Sequence, residues 1–190
     1  MIIYGVMSNK VFLMGLITLL VFPICGFLLR FGIDLSQIEN FLGFQSFDWL
    51  PIGLGLEFGF VYAFVAMLFM RAEVFSTSNL KMERLIKGLN LNFWQGIFLS
   101  LCAGIGEELF FRMSLQPFLG IWITSIIFVA IHGYLNPLDW KFSLYGLIAL
   151  PFIVILSYGY ERFGIHFAIA AHFCYDAVLF TAMLEDKKTI

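Results

Sequence analysis

The stretch GIGEELFFR, Gly104–Arg112, places two adjacent glutamates and an arginine inside an apolar run that extends from about residue 93 to 118. A run of roughly 20 apolar residues can cross a lipid bilayer as a helix. A charged side chain at the bilayer centre costs at least ~2.5 kcal/mol on insertion scales, so it normally faces other helices and has a partner or a function. The stretch therefore predicts a membrane-spanning helix with a polar site inside the protein.

The composition of the whole chain also indicates a membrane protein. Of its 190 residues, 61% are hydrophobic and only 13% are charged, whereas soluble chains carry roughly 25% charged residues. The net charge is −2, and no basic segment indicates a nucleic-acid partner. The three cysteines lie in separate apolar runs without a CxxC pair, so neither a disulfide scaffold nor a zinc ribbon is indicated. We predict an all-α polytopic membrane protein surrounded by the lipid bilayer.

Six apolar runs predict about six transmembrane helices, at residues 11–29, 52–70, 93–118, 120–135, 142–159 and 163–184. The first run follows Lys10 and has no A-x-A cleavage site, so we expect it to be an uncleaved anchor. We divide the chain into three parts. These are two N-terminal helices with a cytoplasmic loop (1–92), a four-helix core (93–184) and a cytoplasmic tail (185–190).

The distribution of basic residues predicts the orientation. One side of the membrane carries Arg30 and Arg162, and the other carries eight basic residues: Lys10, Arg71, Lys81, Arg84, Lys87, Lys141, Lys187 and Lys188. Cytoplasmic loops are the ones enriched in Lys and Arg. We therefore expect both termini in the cytoplasm, and for a bacterial chain the membrane would be the cytoplasmic (inner) membrane.

The two adjacent glutamates are predicted to differ in role. Glu108 and Arg112 are four residues apart on one helix face, where they can pair, so we interpret them as structural support. Glu107 lies about 100° around the helix, out of easy reach of the same arginine. Either Glu107 makes a polar contact between helices or it has a chemical function.

Two further polar clusters favour a chemical function. FVAIH ends in His132, and HFCYD places His172 and Asp176 four residues apart. The turn signal QPFLGIW, near 119–120, would fold the third and fourth helices into an antiparallel hairpin. Glu107 and His132 would then each lie ~18 Å from that turn, and the sixth helix would bring His172 to a similar depth. We expect an intramembrane catalytic pocket formed by Glu107, His132, His172 and Asp176.

This set of side chains can hydrolyse a peptide bond. A carboxylate beside a histidine can take a proton from water and return it to the leaving amine. His172, oriented by Asp176, could donate a hydrogen bond to the developing oxyanion. Zinc is an open alternative, because two histidines and a glutamate form a known catalytic ligand set. The candidate metal ligands are Glu107, His132 and His172, although the sequence has no HExxH.

The three motifs resemble those of the CPBP family, which includes type II CAAX prenyl endopeptidases and the Abi, or bacteriocin-processing, proteins. EELFFR resembles EExxxR, FVAIH resembles FxxxH, and HFCYD resembles HxxxN/D, over residues 93–184. The resemblance implies a glutamate-type intramembrane endopeptidase, often labelled a metalloprotease, with a CPBP-like core. It also implies that Glu107 and His132 activate water, that His172 and Asp176 stabilise the oxyanion, and that Glu108 and Arg112 support them.

The sequence departs from the family at one motif position and in its length. Asp176 stands where Asn is more usual. Only two helices precede the core, so a membrane partner protein could assist recognition of the membrane-associated protein or peptide substrate. The alternative functions are a non-catalytic bacteriocin-immunity or peptide-binding protein and a proton-coupled carrier, since intramembrane Glu and His also serve proton relays. Outside the motifs, we interpret Glu57 as a structural or supporting group and His166 as an interfacial histidine.

Overall fold

The computed structural model describes residues 9–43, 48–76, 88 and 91–185. Within these residues every regular element is helical. Short 3₁₀ turns lie at Leu35–Gln37 and Glu73–Phe75, and a π-helical turn lies at Phe111–Leu115. The α-helices are α1 (Asn9–Phe31), α2 (Ile38–Leu42), α3 (Trp49–Met70), α4 (Phe93–Phe110), α5 (Gln116–Ile131), α6 (Trp140–Ser143), α7 (Gly146–Phe163) and α8 (Ile165–Glu185).

The predicted all-α membrane fold is confirmed. Five segments of the described chain are long and apolar enough to cross a membrane: Lys10–Phe31, Trp49–Met70, Phe93–Ile131, Gly146–Phe163 and Ile165–Leu184. They coincide with the apolar runs read from the sequence, except that the third segment contains two of those runs. The chain is an integral membrane protein.

The third segment is folded back on itself at Gly120. This residue has φ 72° and ψ 174°, a conformation open to glycine but not to other residues. On the two sides of the bend, the Phe111 and Phe128 rings pack edge to face at 4.8 Å. The predicted hairpin is therefore present. Its second arm, residues 121–131, is only ~16 Å long and cannot cross a ~30 Å hydrocarbon core, so the fourth predicted helix is a half-span.

The π-helical turn at Phe111–Leu115 lies immediately after the two glutamates. Such turns displace backbone carbonyls from the regular hydrogen-bond ladder and are frequent at functional sites. Here side chains satisfy the displaced groups. Arg30, from the end of α1, donates to the Met113 carbonyl, and the Ser114 hydroxyl donates to the Leu109 carbonyl. Arg112 lies within this turn and is buried.

Small residues allow the helices that carry the site to pack closely. On α3, a Cβ atom added to Gly55 or Gly59 would meet the backbone carbonyl of Phe167 or Ala171 on α8. On α4, a Cβ atom added to Gly106 would meet the carbonyl of Thr18 on α1. Membrane helices associate through such close backbone contacts. They fix α4 and α8 in the bundle, and these two helices carry three of the four predicted catalytic residues.

Part of the orientation prediction lies outside the described residues. Lys81, Arg84 and Lys87 belong to the undescribed residues 77–87, and Lys187 and Lys188 belong to the predicted cytoplasmic tail beyond Glu185. The positive-inside assignment therefore stays a prediction.

Candidate active site

The four predicted catalytic residues come together around one cavity. Its volume is about 250 Å³, and its wall includes Glu107 of α4, His132 at the end of α5, and His172 and Asp176 of α8. The rest of the wall is mainly aromatic and aliphatic. The residues that line it are Met70, Glu107, Phe128, His132, Tyr134, Tyr145, Ile148, Ala149, Phe152, Ile153, His172, Tyr175, Asp176, Leu179, Phe180 and Met183.

Glu107 and His132 face each other across the hairpin. The Oε2 atom of Glu107 lies 3.4 Å from Nε2 of His132, and the two side chains are 13% and 32% exposed. The His132 Nδ1 atom lies 2.7 Å from the Phe128 carbonyl oxygen. Because a carbonyl oxygen can only accept, Nδ1 carries the hydrogen, and a neutral ring has its lone pair on Nε2, towards Glu107. Within the described chain, Oε2 of Glu107 makes no hydrogen bond.

Glu108 is fully engaged, in contrast to its neighbour. Its Oε2 atom accepts from Nε of Arg112 at 2.7 Å, so the ion pair expected from the four-residue spacing is present. Its Oε1 atom lies 2.7 Å from Nδ1 of His172. Glu108 and Arg112 are both completely buried. Both oxygens of Glu108 therefore have a partner, and its side chain does not line the cavity.

Arg112 is also the centre of a buried polar network. Its Nη1 atom donates to the Ser157 hydroxyl at 2.7 Å and to Oε1 of Gln116 at 3.3 Å. The Gln116 amide donates in turn to Glu161 and to the Ser157 carbonyl, and Ser125 contacts Ser157 through the hydroxyl groups. No sequence motif predicted this network. Gln116 could have been found, because it lies four residues after Arg112 and extends the same helix face.

His172 is held more closely by Glu108 than by Asp176. The Nε2 atom of His172 lies 3.5 Å from Oδ2 of Asp176, which is longer than an ordinary hydrogen bond. Asp176 is 25% exposed, whereas the His172 side chain is 6% exposed. The four-residue spacing predicted only Arg112 as a partner of Glu108. The structure shows that Glu108 also bridges the first and third motifs through His172.

Tyrosines that no sequence motif predicted complete the cavity wall. Tyr134 and Tyr145 lie in the connection between two spans, and the Tyr134 ring stacks on His132 at 6.2 Å between centroids. Burial raises the pKa of Tyr145 to about 12. Burial, assisted by the charge of Asp176, raises the pKa of Tyr134. Both phenols therefore stay protonated and can donate hydrogen bonds. Tyr134 could have been noticed from its position two residues after His132.

The three candidate metal ligands do not form a ligand set. His172 has both ring nitrogens directed at carboxylates, Nδ1 at Glu108 and Nε2 at Asp176. Glu107 and His132 then remain as two ligands, whereas catalytic zinc has three protein ligands. In the part of the chain that the structure describes, no cluster of three or more His, Cys, Asp or Glu side chains could hold a metal ion. The donor set does not fit a zinc site.

The two polar residues outside the motifs, His166 and Glu57, do not line the cavity. His166 is in the first turn of α8, near the bend at Gly164, and does not line the cavity. Glu57 lies in the interior of α3 and is exposed, and within the described residues it makes no hydrogen bond or ion pair. Glu57 therefore contacts neither the cavity nor another described helix, because its helix turns a different face towards α8, and its role as a structural or supporting group stays a prediction.

Comparison with known proteins gives matches over part of the chain. Residues 88–178 match the family model of the type II CAAX prenyl endopeptidase Rce1-like proteins. Among curated proteins, the uncharacterized protein YpbD of Bacillus subtilis (strain 168) is 37% identical over 84 residues, which are 43% of this chain and 42% of that protein. No solved structure gives a significant match. The matched family segment contains all three motifs, and the match supports the resemblance to the CPBP family that those motifs indicate.

Proposed function

We propose that the protein is an intramembrane endopeptidase that hydrolyses a peptide bond in a membrane-associated protein or peptide, using water activated by Glu107 and His132. One observation carries this proposal. In the cavity wall, a carboxylate oxygen of Glu107 without a hydrogen bond faces the Nε2 atom of His132 at 3.4 Å. Two groups that can each accept a proton are thus adjacent in the wall of the cavity.

The reaction follows from the hydrogen-bonding capacity of these groups. A water hydrogen-bonded to Glu107 and His132 attacks the carbonyl carbon, and a new C–O bond forms while Glu107 accepts one of the water protons. The carbonyl oxygen becomes an oxyanion. Glu107 then gives the proton to the amide nitrogen as the C–N bond breaks, and the second water proton leaves with the carboxylic acid product. The carboxylate returns to its starting state.

His172 and Asp176 are proposed to act on the oxyanion. The Nδ1 atom of His172 is anchored on Glu108, which fixes the ring plane, and Nε2 is directed towards Asp176 at the cavity. When both nitrogens carry a hydrogen, Nε2 can donate to the oxyanion. The protonated phenols of Tyr134 and Tyr145 are two further donors in the same wall. Each such donor that is aimed at developing charge lowers the barrier to reaction.

We further propose that both termini are cytoplasmic and that the cavity opens towards the cytoplasm. Met70 at the end of α3 and Met183 near the end of α8 both line the cavity. The excess of basic residues at these helix ends assigns them to the cytoplasmic side. A substrate would then approach Glu107 from the cytoplasmic half of the membrane.

A peptide-binding immunity protein without catalysis is the second candidate. It would use the same cavity, but it would have no need for an unbonded carboxylate next to a histidine. Intramembrane Glu and His residues also occur in proton-coupled carriers. Such a carrier would depend on Glu107 for transport and would leave the lengths of cellular proteins unchanged.

The test compares protein termini in cells that contain the wild type, Glu107→Gln or Glu39→Gln. Glu39 lies exposed on α2, so its substitution is a matched control. Expression of each variant is measured by quantitative blotting of the membrane fraction. We expect at least one membrane protein to be cleaved with the wild type and with Glu39→Gln. Cleavage should fall by roughly 10²-fold or more with Glu107→Gln, because a general base is lost.

The outcome distinguishes the candidate functions. If the same new termini appear with Glu107→Gln as with the wild type, the proposed mechanism is wrong. If no terminus depends on the protein, but protection from a peptide toxin does, the immunity function is supported. A peptide that contains the identified cleavage site should then be cut by purified wild-type protein in vesicles.

A further inference from the structure

Glu57 is a charged side chain near the middle of a membrane-spanning helix. It is the ninth residue of α3, Trp49–Met70, so it lies ~12 Å from one end of the helix and ~20 Å from the other. A glutamate side chain is too short to reach the headgroups over such a distance. Intramembrane carboxylates are expensive and almost always pair or face water. Glu57 therefore needs a partner.

The described part of the chain does not provide one. The inward face of α3 consists of Gly55, Gly59, Ala63 and Ala66, which are buried in the bundle. Glu57 points away from this face and does not belong to the wall of the catalytic cavity. Around it, Phe60 and Val61 are 57% and 54% exposed. In the membrane, this outward face of α3 would be covered by lipid tails, which cannot bond a carboxylate.

Gly53 makes the same face accessible to another helix. It lies four residues before Glu57, one helical turn away, and it is exposed. A Cβ atom added to Gly53 would have nothing within 4 Å, whereas one added to Gly55 or Gly59 would meet the backbone of α8. Small residues on membrane helices let a second backbone approach closely. No described helix therefore packs against Gly53, and its exposed side is accessible to a helix of another protein.

We propose that the outward face of α3, formed by Gly53, Glu57, Phe60 and Phe64, binds a transmembrane helix of a partner protein that carries an Arg or Lys at the same depth. Gly53 would allow close approach, Glu57 would pair with the basic side chain, and the two phenylalanines would pack against apolar residues. Each buried charge would neutralise the other, and neither has an adequate partner in lipid. The binding depends on α3 alone and does not require catalysis.

A second copy of this chain complements the face poorly. In a two-fold dimer through α3, Glu57 would face Glu57, and like charges repel. The exposed basic residues of the described chain lie at helix ends: Lys10, Arg71 and Arg162. Their depth does not match that of Glu57. The described basic residues therefore do not supply the complementary cation, and we assign it to a different protein.

The test uses purified full-length protein and synthetic helices in phosphatidylcholine vesicles. The protein carries a donor fluorophore on a terminal tag. Three acceptor-labelled peptides are matched, 22-residue Leu/Ala helices that differ only in a central Arg, Lys or Leu. We expect energy transfer to show association with the Arg and Lys peptides roughly tenfold tighter than with the Leu peptide. Glu57→Gln should abolish the preference for the Arg and Lys peptides over the Leu peptide. Glu39→Gln should leave this preference unchanged.

A second variant and a self-association measurement complete the design. Gly53→Leu fills the approach surface without removing the charge, so it should weaken binding of the Arg peptide while the protein keeps its gel-filtration profile. Equal binding of the Arg and Leu peptides, or unchanged binding by Glu57→Gln, would overturn the proposal. Energy transfer between donor- and acceptor-labelled copies that is abolished by Glu57→Gln would overturn it in favour of a homodimer.

Discussion

The Nε2 atom of His132 lies 3.4 Å from Oε2 of Glu107, although the two residues belong to different arms of a hairpin. The bend at Gly120 brings the arms together, and the contact between Phe111 and Phe128 sets their register. Glu108, the next residue along the chain, instead contacts Arg112 and His172. Two adjacent glutamates therefore have different environments. The Glu107 carboxylate faces the cavity, whereas the Glu108 carboxylate is buried and bonded to Arg112 and His172.

Arg112→Ala should strongly destabilise the protein. Glu108 would be left completely buried without its cationic partner, and breaking a buried pair in this way costs roughly 3–5 kcal/mol. The measurement is the free energy of unfolding in mixed micelles titrated with a denaturing detergent. Arg162→Ala is the control, since Arg162 is exposed at the end of α7, and its change should stay within about 0.5 kcal/mol. Equal stability of the two variants would contradict the role given to the network.

Asp176→Asn should keep or increase activity, whereas Glu108→Gln should lose most of it. The shorter contact to His172 comes from Glu108 at 2.7 Å, so the ring stays anchored when Asp176 changes. Asn also adds an amide donor next to the oxyanion position. The measurement is cleavage per folded protein, with the substrate identified in cells. Loss of activity in Asp176→Asn with normal activity in Glu108→Gln would reverse the assignment.

Chelators should leave cleavage unchanged. Both nitrogens of His172 are directed at carboxylates, so Glu107 and His132 lack a third protein ligand for zinc. The check combines the metal content of the purified protein with activity before and after 1,10-phenanthroline. Stoichiometric zinc, together with chelator-sensitive cleavage, would mean that His172 rearranges to bind metal and that the glutamate-type mechanism is wrong.

Gly106→Ala should lower stability by about 1–3 kcal/mol, the usual cost of overpacking. Its new Cβ atom would meet the Thr18 carbonyl of α1, and a backbone atom cannot move aside as a side chain can. Gly53→Ala is the matched control in a helix, because nothing lies within 4 Å of the added atom. It should be neutral or stabilising by up to ~1 kcal/mol. The detergent unfolding assay used for Arg112→Ala measures both.

A periplasm-active reporter fused after Lys188 should be silent in a bacterial host. The basic residues divide eight to two between the sides of the membrane, which favours cytoplasmic termini. The same reporter fused after Asp34, in the connection between α1 and α2, should be active. The opposite pattern would reverse the orientation and would place the cavity mouth on the outer side.

Several features of the site could be predicted from local sequence alone. The length of the apolar runs predicted the spans, because a helix must cover the hydrocarbon core. The four-residue spacing predicted the Glu108–Arg112 pair, because it is a property of one helix. Gly120 predicted the hairpin, and equal distances from the bend predicted that Glu107 and His132 would meet. Each of these inferences needs only helix geometry and one turn.

Tertiary structure decided which face of each helix meets which neighbour. Periodicity places Glu108 and Arg112 on one face of α4, but it does not reveal that His172 approaches the same carboxylate from α8. Nor does it reveal that Glu57 points away from the bundle, since α3 is apolar on every other face. The reason is physical: helical spacing fixes the relation between side chains on one helix, whereas the rotation of that helix depends on packing against the others, here on the close contacts at Gly55, Gly59 and Gly106.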